Sequence, residues 1–263
     1  LYLGALNNDG SASSHSVWQF GAFFAGNLSE AQTLALSNAL TTYMQAVGNW
    51  STQLVGWGDS LSNSSYYTQA ALRSYANTKP WRRCVNKGVS SETSTQISAR
   101  VVADSTYTSS DFVHVLWMCR NDINNSTQTV ASTTIKAQLA AAVAAVAARS
   151  NKYIVLGLTP VNLNAPGGSI YSNSEATGTT IGTAIATHAS DLSALYGSRF
   201  LDIRLAMIDY TNANLSGTDL TDASNGLPGR TLYANDGTGV HFSTTGQIAV
   251  GQAIEDKIEA LGW

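Results

Sequence analysis

The sequence predicts an α/β protein with a central, mainly parallel sheet that is covered by helices on both faces. The first observation behind this prediction is that short apolar runs alternate with helix-like stretches of roughly 10 to 20 residues, a pattern typical of parallel sheets. The second observation is that polar residues with catalytic potential follow the ends of the apolar runs. In an open parallel sheet, the ligand crevice lies outside the carboxyl ends of the strands.

The apolar runs predict five strands. In chain order they are 52–58 (TQLVGWG), 82–88 (RRCVNKG), 111–119 (DFVHVLWMC), 152–160 (KYIVLGLTP) and 199–204 (RFLDIR). The segments between them have the apolar spacing of helices. The predicted helices are 65–77, 92–103, about 127–149, about 179–195 and 244–262, with a polar loop at 161–178.

Length and charge limit the classes of function. The chain has 263 residues, enough for one large domain or for one domain with an appendage. Only 12% of the residues are charged, the net charge is −3, and the lysines and arginines are scattered singly. Neither a nucleic acid nor an anionic membrane is therefore expected as a partner. No run approaches the roughly 18 consecutive apolar residues of a transmembrane helix.

The cysteines and histidines do not predict a metal site. Two cysteines, Cys84 and Cys119, exclude a disulfide-rich scaffold and a cysteine-rich zinc site. One disulfide between them and two separate buried thiols both remain open. The histidines at positions 15, 114 and 188 have no partners at the spacing of metal ligands.

The polar residues at the predicted strand ends fit the requirements of a serine hydrolase. Ser60 follows the first strand, and His241 immediately precedes the last helix. Such an enzyme needs a nucleophilic hydroxyl, a base to accept its proton and a group that orients the base, and Asp236 is the acid nearest to His241. Gly88 follows the second strand and Asn121 the third, where an N–H and an amide can stabilise an oxyanion.

Each of these residues also has a plain structural interpretation. Ser60 is a favoured residue at a helix N-cap. Gly88 and His241 suit turns, and Asn121 suits a turn or a helix cap. The neighbouring Asp59 is predicted to order the turn after the first strand.

The motifs resemble those of the SGNH (GDSL-type) hydrolases, in the right order and spacing, from about residue 51 to the end of the chain. GDSL at 58–61 matches the first block of that family, Gly88 in NKGVSSET the second, RND at 120–122 most of the Gly-x-Asn-Asp third block, and His241 the fifth. The resemblance implies a flavodoxin-like three-layer α/β/α sandwich and ester hydrolysis without a metal or organic cofactor. It also implies an oxyanion hole made of the N–H groups of Ser60 and Gly88 with the side chain of Asn121.

Two positions depart from the family's pattern. Cys119 stands where the third block begins with glycine, and a side chain there is expected to crowd the oxyanion pocket or to stiffen the loop. Thr238 stands three residues before His241, where the family has the aspartate of Asp-x-x-His. Glycines at 237 and 239 would let the chain bulge and bring Asp236 to the imidazole. Otherwise a backbone carbonyl would orient His241.

Three residues beside these motifs are predicted to contact the substrate. Trp57 and Trp117 lie near strand ends, where their aromatic faces would offer a large contact area to a sugar. Arg120 lies between Cys119 and Asn121 and is predicted to reach the substrate. Core packing is the competing interpretation for the tryptophans, and a solvated surface position is the competing interpretation for Arg120.

The strand–helix alternation does not extend to residues 1–50, which are assigned to an N-terminal arm preceding a hydrolase domain at 51–263. The segment that ends in LSEAQTLALSNALTTYMQAVG resembles the last strands and terminal helix of concanavalin-like (laminin G type) modules in bacterial and phage surface proteins. This resemblance implies an extracellular, surface- or virion-associated location and a chain excised from a longer protein, and the missing initiator Met agrees with that expectation. A family-specific extension is the alternative.

Together these observations predict a serine esterase that acts on carboxylic esters, with O-acetyl groups of a carbohydrate as the expected substrate. The carbohydrate preference rests on the tryptophans, the polar surface and the lectin-like segment. The competing hypothesis is a carbohydrate-binding or adhesin module on the same scaffold, which has lost turnover through Cys119 and the displaced acid.

Overall fold

A computed structural model describes residues 53–63, 84–108, 112–124 and 129–263. The predicted N-terminal arm (1–50) and the helix predicted at 65–77 lie outside the described residues, so both stay predictions.

The described residues contain seven strands. They are β1 (Gln53–Gly58), β2 (Cys84–Gly88), β3 (Phe112–Trp117), β4 (Ile123–Asn124), β5 (Thr129–Val130), β6 (Tyr153–Leu156) and β7 (Phe200–Leu201). Five of them form one parallel sheet in the order β2-β1-β3-β6-β7, and β4 pairs with β5 as a short antiparallel hairpin. This strand order is that of flavodoxin-like sheets. The predicted α/β fold with a five-stranded parallel sheet is confirmed.

Six α-helices surround this sheet in the described residues. They are α1 (Ser94–Ala103), α2 (Ser132–Ala147), α3 (Thr180–Tyr196), α4 (Ile203–Asn214), α5 (Thr218–Ser224) and α6 (Thr244–Ala260). Two of them begin at a hydroxyl cap, since Thr179 accepts a hydrogen bond from the N–H of Gly182 and Ser243 accepts one from the N–H of Gly246.

Alternate residues of the strands face two separate apolar clusters, because side chains in a strand point to opposite faces in turn. Leu54 of β1 lies in the first cluster, together with residues of α4 and α6. Val55 and Trp57 lie in the second cluster, together with residues of α1, α2 and α3. The sheet is therefore the middle layer of an α/β/α sandwich.

The structure differs from the predicted elements in several places. The strand predicted at 152–160 ends at Leu156. The last strand ends at Leu201 instead of residue 204, because the Asp202 side chain accepts a hydrogen bond from the N–H of Leu205 and starts α4. Neither α4 nor α5 was predicted. The long helix begins at Ser132 instead of about residue 127, because β4 and β5 form a hairpin before it.

The two cysteines lie on opposite sides of the sheet. Cys84 packs against the first apolar cluster, and Cys119 belongs to the second. Both are free thiols, Cys119 buried and Cys84 partly exposed, so the structure favours two separate thiols over a disulfide between them.

Within the described residues, none of the helices combines the length and the apolar character that crossing a membrane requires.

Candidate active site

Ser60 lies in a tight turn directly after β1. Asp59 caps this turn, because its Oδ1 accepts a hydrogen bond from the N–H of Leu61 at 2.8 Å. A Cβ on Gly58 would lie 2.3 Å from the backbone oxygen of Trp117, so only glycine fits there. The Gly-Asp-Ser sequence thus lets the chain turn close against β3 and leaves Ser60 at the carboxyl edge of the sheet.

The structure brings Ser60, His241 and Asp236 together in a hydrogen-bonded chain. Nε2 of His241 lies 3.1 Å from Oγ of Ser60, and Nδ1 lies 2.6 Å from Oδ2 of Asp236. Ser60 and His241 are only 8% and 7% exposed, so bulk water competes little for these contacts. A hydroxyl, a base and a carboxylate in this order are the groups that nucleophilic catalysis uses.

A bulge in the backbone carries Asp236 to His241. Gly237 and Gly239 have φ angles of 76° and 66°, in the left-handed region that glycine adopts without steric cost. Between them, Thr238 donates two hydrogen bonds to Oδ1 of Asp236, from its N–H at 2.9 Å and from its Oγ1 at 2.7 Å. Asp236 therefore contacts His241 although it lies five positions before it in the sequence, two more than the aspartate of the Asp-x-x-His pattern.

The contacts of Asp236 favour its ionised form. Partial burial acts to raise the pKa of this carboxyl, but the hydrogen bonds from Thr238 and the contact with His241 outweigh it and hold the pKa below its ordinary value. Asp236 is consequently a carboxylate at neutral pH, which is the form that can orient an imidazole.

The N–H of Gly88, predicted as an oxyanion donor, makes a hydrogen bond within the protein. It donates to Oδ1 of Asn86 at 2.7 Å. Gly88 also packs tightly against the serine turn, since a Cβ there would lie 2.4 Å from the backbone carbon of Ser62. An N–H has a single hydrogen, so Gly88 would have to release Asn86 before it could bind an oxyanion. The role of Gly88 as an oxyanion donor stays a prediction, and it requires the hydrogen bond to Asn86 to break first.

Asn121, the other predicted oxyanion donor, lies beside the serine turn. Its Nδ2 donates to the backbone oxygen of Glu92 at 2.9 Å and lies 3.4 Å from Oδ2 of Asp59. The second contact is long for an N–H···O hydrogen bond. One of the two amide hydrogens is therefore weakly held, while the other makes a normal hydrogen bond to Glu92. The role of Asn121 as an oxyanion donor stays a prediction.

Two other acids near the site support the backbone. Burial raises the pKa of Asp59 to about 7, although the hydrogen bond from Leu61 and the charge of Arg120 act in the opposite direction. Its bond to Leu61 agrees with the predicted role in ordering the turn. Asp122 accepts hydrogen bonds from both the N–H and the hydroxyl of Ser94, each at 2.8 Å, and so holds the start of α1.

Cys119 has a φ angle of 116°, a left-handed conformation that favours glycine. Its side chain is fully buried in the second apolar cluster with Trp57 and Leu116. Burial also raises the pKa of the thiol well above its ordinary value. The expectation that this side chain crowds the oxyanion pocket is wrong, because the side chain packs into the core. The alternative, that Cys119 stiffens the loop, stays a prediction.

The structure also corrects the predicted roles of the two tryptophans. Trp57 is 1% exposed, and its Nε1 donates to Nδ1 of His114 at 3.1 Å. Trp117 is 4% exposed and stacks on Phe242, with the ring centroids 6.1 Å apart. Neither ring offers a face to a sugar. The competing interpretation, core packing, is correct for both, because the inward positions at these strand ends point into the clusters and not into a cleft.

Arg120 is neither a substrate contact nor a solvated surface residue, so both interpretations of it are wrong. Its guanidinium makes a two-point ion pair with Glu175, with Nη1–Oε2 at 2.8 Å and Nη2–Oε1 at 2.9 Å. It also donates to the backbone oxygen of Thr159 at 3.2 Å, and its side chain is 3% exposed. Glu175 in turn accepts the N–H of Val161 at 2.7 Å. Arg120 thus joins the loop that contains Asn121 to the loop that follows β6.

Three contributors to the site were not predicted from the sequence: Thr238, Glu175 and Asn86. Thr238 carried a usable signal, because an aspartate followed by glycine is typical of a turn in which the carboxylate binds the backbone two residues on. Glu175 and Asn86 carried no such signal. Glu175 is separated from Arg120 by 55 positions and stands in a polar loop, so only the folded chain reveals the pair.

Across the part of the chain that the structure describes, no group of three or more His, Cys, Asp or Glu side chains is arranged to hold a metal ion.

No protein-family model and no curated protein matches the sequence. Solved structures do match the fold. One is a G-D-S-L family protein from Desulfitobacterium hafniense, with 20% identity, a TM-score of 0.51, and 78% of this chain and 99% of that chain covered. Another is a member of the lipolytic protein G-D-S-L family from Veillonella parvula, with 14% identity, a TM-score of 0.53, and coverage of 78% and 97%.

A third similar structure is a catalytic mutant of an acetylxylan esterase from Geobacillus stearothermophilus. It is 15% identical, has a TM-score of 0.54, and is matched over 79% of this chain and 94% of that chain. At these identities the three likenesses show a shared α/β fold over most of the chain.

Proposed function

We propose that the protein is a serine esterase that hydrolyses carboxylic esters through an acyl-enzyme. The observation that carries the proposal is the hydrogen-bonded chain of Ser60, His241 and Asp236 at the carboxyl edge of the sheet. The fold that the chain shares with lipolytic G-D-S-L proteins and an acetylxylan esterase supports the same class of reaction.

In the proposed reaction, Oγ of Ser60 attacks the carbonyl carbon of the ester while Nε2 of His241 accepts the hydroxyl proton. When the tetrahedral intermediate collapses, the C–O bond to the alcohol breaks and His241 gives this proton to the leaving oxygen. A water molecule then attacks the acyl-enzyme, again with His241 as the base, and the carboxylic acid leaves Ser60. Asp236 keeps the imidazole oriented and stabilises its cationic form.

The oxyanion of the intermediate is proposed to bind the N–H groups of Ser60 and Gly88 together with the Asn121 amide. The long 3.4 Å contact between Asn121 and Asp59 supports Asn121 as the donor that is most easily recruited. Gly88 contributes only after its N–H leaves Asn86. Turnover therefore includes an exchange of hydrogen-bond partners at this edge of the site.

We further propose that the substrates are O-acetyl groups of a carbohydrate. The support comes from the acetylxylan esterase among the similar folds and from a chain rich in Ser, Thr and Asn with little charge. The buried tryptophans give this substrate class no support. An extracellular or surface-associated location, which the segment at 1–50 suggested, is likewise a proposal.

The experiment compares hydrolysis of p-nitrophenyl acetate, and acetate release from acetylated xylan, by the unchanged protein and by the Ser60→Ala variant. We expect activity on both substrates and at least a thousandfold loss in the variant, the scale on which triad nucleophiles contribute. Activity that persists in Ser60→Ala would refute the esterase mechanism. Activity on the small ester with none on the xylan would refute only this carbohydrate substrate.

A second candidate is a carbohydrate-binding module on the same scaffold. It is favoured by the internal hydrogen bonds of Gly88 and Asn121, which leave the predicted oxyanion donors engaged. Titration of one soluble glycan with and without its acetyl group separates the two candidates. A binding module retains both ligands unchanged, whereas an esterase releases acetate from one of them.

A further inference from the structure

The hydroxyl of Thr238 occupies the centre of the loop that supplies the acid and the base. Its Oγ1 accepts the N–H of Val240 at 3.1 Å and donates to Oδ1 of Asp236 at 2.7 Å. The same oxygen lies 3.4 Å from Nδ1 of His241. Because the N–H of Val240 occupies an acceptor direction of the hydroxyl, the single hydroxyl hydrogen is left for the carboxylate.

The two oxygens of Asp236 consequently have separate partners. Oδ1 accepts both hydrogen bonds from Thr238, and Oδ2 faces Nδ1 of His241 at 2.6 Å. A carboxylate held at one oxygen cannot rotate freely about its last side-chain bond. The second oxygen is therefore presented to the imidazole in one orientation.

The surrounding loop fixes the backbone on which Thr238 stands. Ser169 donates its hydroxyl hydrogen to the backbone oxygen of Thr238 at 2.8 Å. The N–H of Asn162 donates to the backbone oxygen of Gly239 at 3.1 Å. A Cβ on Gly239 would lie 2.6 Å from the backbone oxygen of Asn162, so the two loops approach as closely as glycine permits. The position of the Thr238 hydroxyl is thus set before substrate binds.

We propose that Thr238 is a positioning residue, whose hydroxyl holds the displaced acid Asp236 against His241, and that position 238 is a second place from which an acid can serve the same imidazole. The proposal rests on the proposed esterase function. It explains how the Asp-x-x-His spacing can be replaced by Asp-x-Thr-x-x-His without loss of the acid.

The second half of the proposal follows from side-chain length. The Thr238 oxygen is already 3.4 Å from Nδ1, and an aspartate side chain extends one bond further than a threonine hydroxyl. An acid introduced at 238 beside Asp236 would meet a like charge, which is destabilising at close range. The informative variant is therefore the double substitution Asp236→Ala with Thr238→Asp, which moves the acid and does not duplicate it.

The experiment measures kcat/KM on p-nitrophenyl acetate for Thr238→Val, Thr238→Ser, Asp236→Ala and the double variant. We expect about a tenfold loss in Thr238→Val, because a hydrogen bond to a charged group is removed, and a loss of less than about threefold in Thr238→Ser, which restores the hydroxyl. Asp236→Ala should lose about a hundredfold or more, and the double variant should recover at least about tenfold of that loss. Thr221→Val, an exposed threonine on α5, is the matched control and should equal the unchanged protein.

The division of the loss between kcat and KM gives a readout that a purely structural role would not show. Without the Thr238 hydroxyl, Asp236 is less firmly oriented towards His241, which weakens the base in the steps that it catalyses and not in substrate binding. We therefore expect Thr238→Val to lower kcat with little change in KM, and Thr238→Ser to restore kcat. A rise in KM with kcat unchanged would overturn the positioning role.

A readout independent of turnover separates this proposal from the proposed function. In the proton NMR spectrum, the hydrogen shared by Nδ1 of His241 and Asp236 should give a far-downfield resonance. It should disappear in Asp236→Ala and return in the double variant. If Ser60→Ala retains all activity, the esterase function fails whatever the spectra show. If the double variant is folded but shows neither the resonance nor recovered activity, the second acid position is refuted.

Discussion

Arg120 and Glu175 form an ion pair in the protein interior, with 3% and 0% of their side chains exposed, across 55 positions of the chain. The pair joins the loop that holds Asn121 to the loop after β6. A charge taken out of water is tolerated only with a partner, so each residue depends on the other. The loop that holds a proposed oxyanion donor is thus anchored to the core by a buried ion pair.

We expect Glu175→Ala to lower the free energy of unfolding by about 3 to 5 kcal/mol, because it leaves the Arg120 guanidinium buried and unpaired. The double variant Arg120→Met with Glu175→Ala should recover about half of that loss, since no charge remains in the core. Urea unfolding of Glu175→Ala, Arg120→Met and the double variant measures these free energies. A loss in the double variant that equals the sum of the two single losses would show that Arg120 and Glu175 are not energetically coupled.

Asn121→Ala should lower kcat by roughly a hundredfold or more while KM changes little, because an oxyanion donor acts mainly in the transition state. Asn212→Ala, an exposed asparagine on α4, is the matched control for deletion of a surface amide. Steady-state kinetics on p-nitrophenyl acetate provide the comparison. A loss of less than about threefold would remove Asn121 from the mechanism.

The buried carboxyl of Asp59 predicts a stability that falls as the pH rises. Its pKa is about 7 in the folded protein, above the ordinary value of 3.8, so the folded state holds a proton that the unfolded state has lost between these pH values. Folding stability contributed by that proton is complete below about pH 4 and is lost as the pH rises through about 7.

Asp59→Asn removes this titration and keeps an oxygen for the N–H of Leu61. Relative to the variant, the unchanged protein should therefore lose on the order of a few kcal/mol between pH 4.5 and pH 7.5. Urea unfolding at several pH values checks this expectation. Parallel stability curves for the two proteins would mean that Asp59 is ionised throughout.

Cys119 adopts a left-handed backbone conformation with its side chain in the core. Glycine relieves that backbone by about 1 kcal/mol, whereas alanine removes the thiol and keeps the strain. Cys119→Gly is therefore expected to be at least as stable as Cys119→Ala, whereas glycine is usually the less stable of the two substitutions. Thermal unfolding of the two variants decides the order, and a Cys119→Gly variant clearly less stable than Cys119→Ala would contradict the account.

The fold was predictable because its signals are local. The apolar runs at β1, β3 and β6 and the Ala-rich helix α2 each carry their own periodicity. The helix α4 was missed although its buried residues Ile203, Met207 and Thr211 recur every four positions. The apolar run before it continues into the helix, and only the cap at Asp202 marks the boundary.

The position of Ser60 at the carboxyl edge of the sheet was predictable from the rule that strand ends converge in a parallel sheet. His241 was predictable from the resemblance to the hydrolase motifs, and Asp236 from the two glycines that let the chain bulge. The environments of Trp57, Trp117 and Arg120 were not. At the end of a strand, one residue faces the crevice and the next faces the core, and the register that decides between them is set by the neighbouring strands. The partner of Arg120 lies in a loop without periodicity, so no local pattern indicates it.

Labelling with a fluorophosphonate, which modifies only an activated serine, tests the proposed nucleophile without a substrate when it is followed by intact-mass measurement and peptide mapping. We expect one adduct per chain on Ser60, absent in Ser60→Ala and strongly reduced in His241→Ala. A folded sample that acquires no adduct, or that acquires it on another residue, would contradict the claim that Ser60, His241 and Asp236 form an active nucleophilic site.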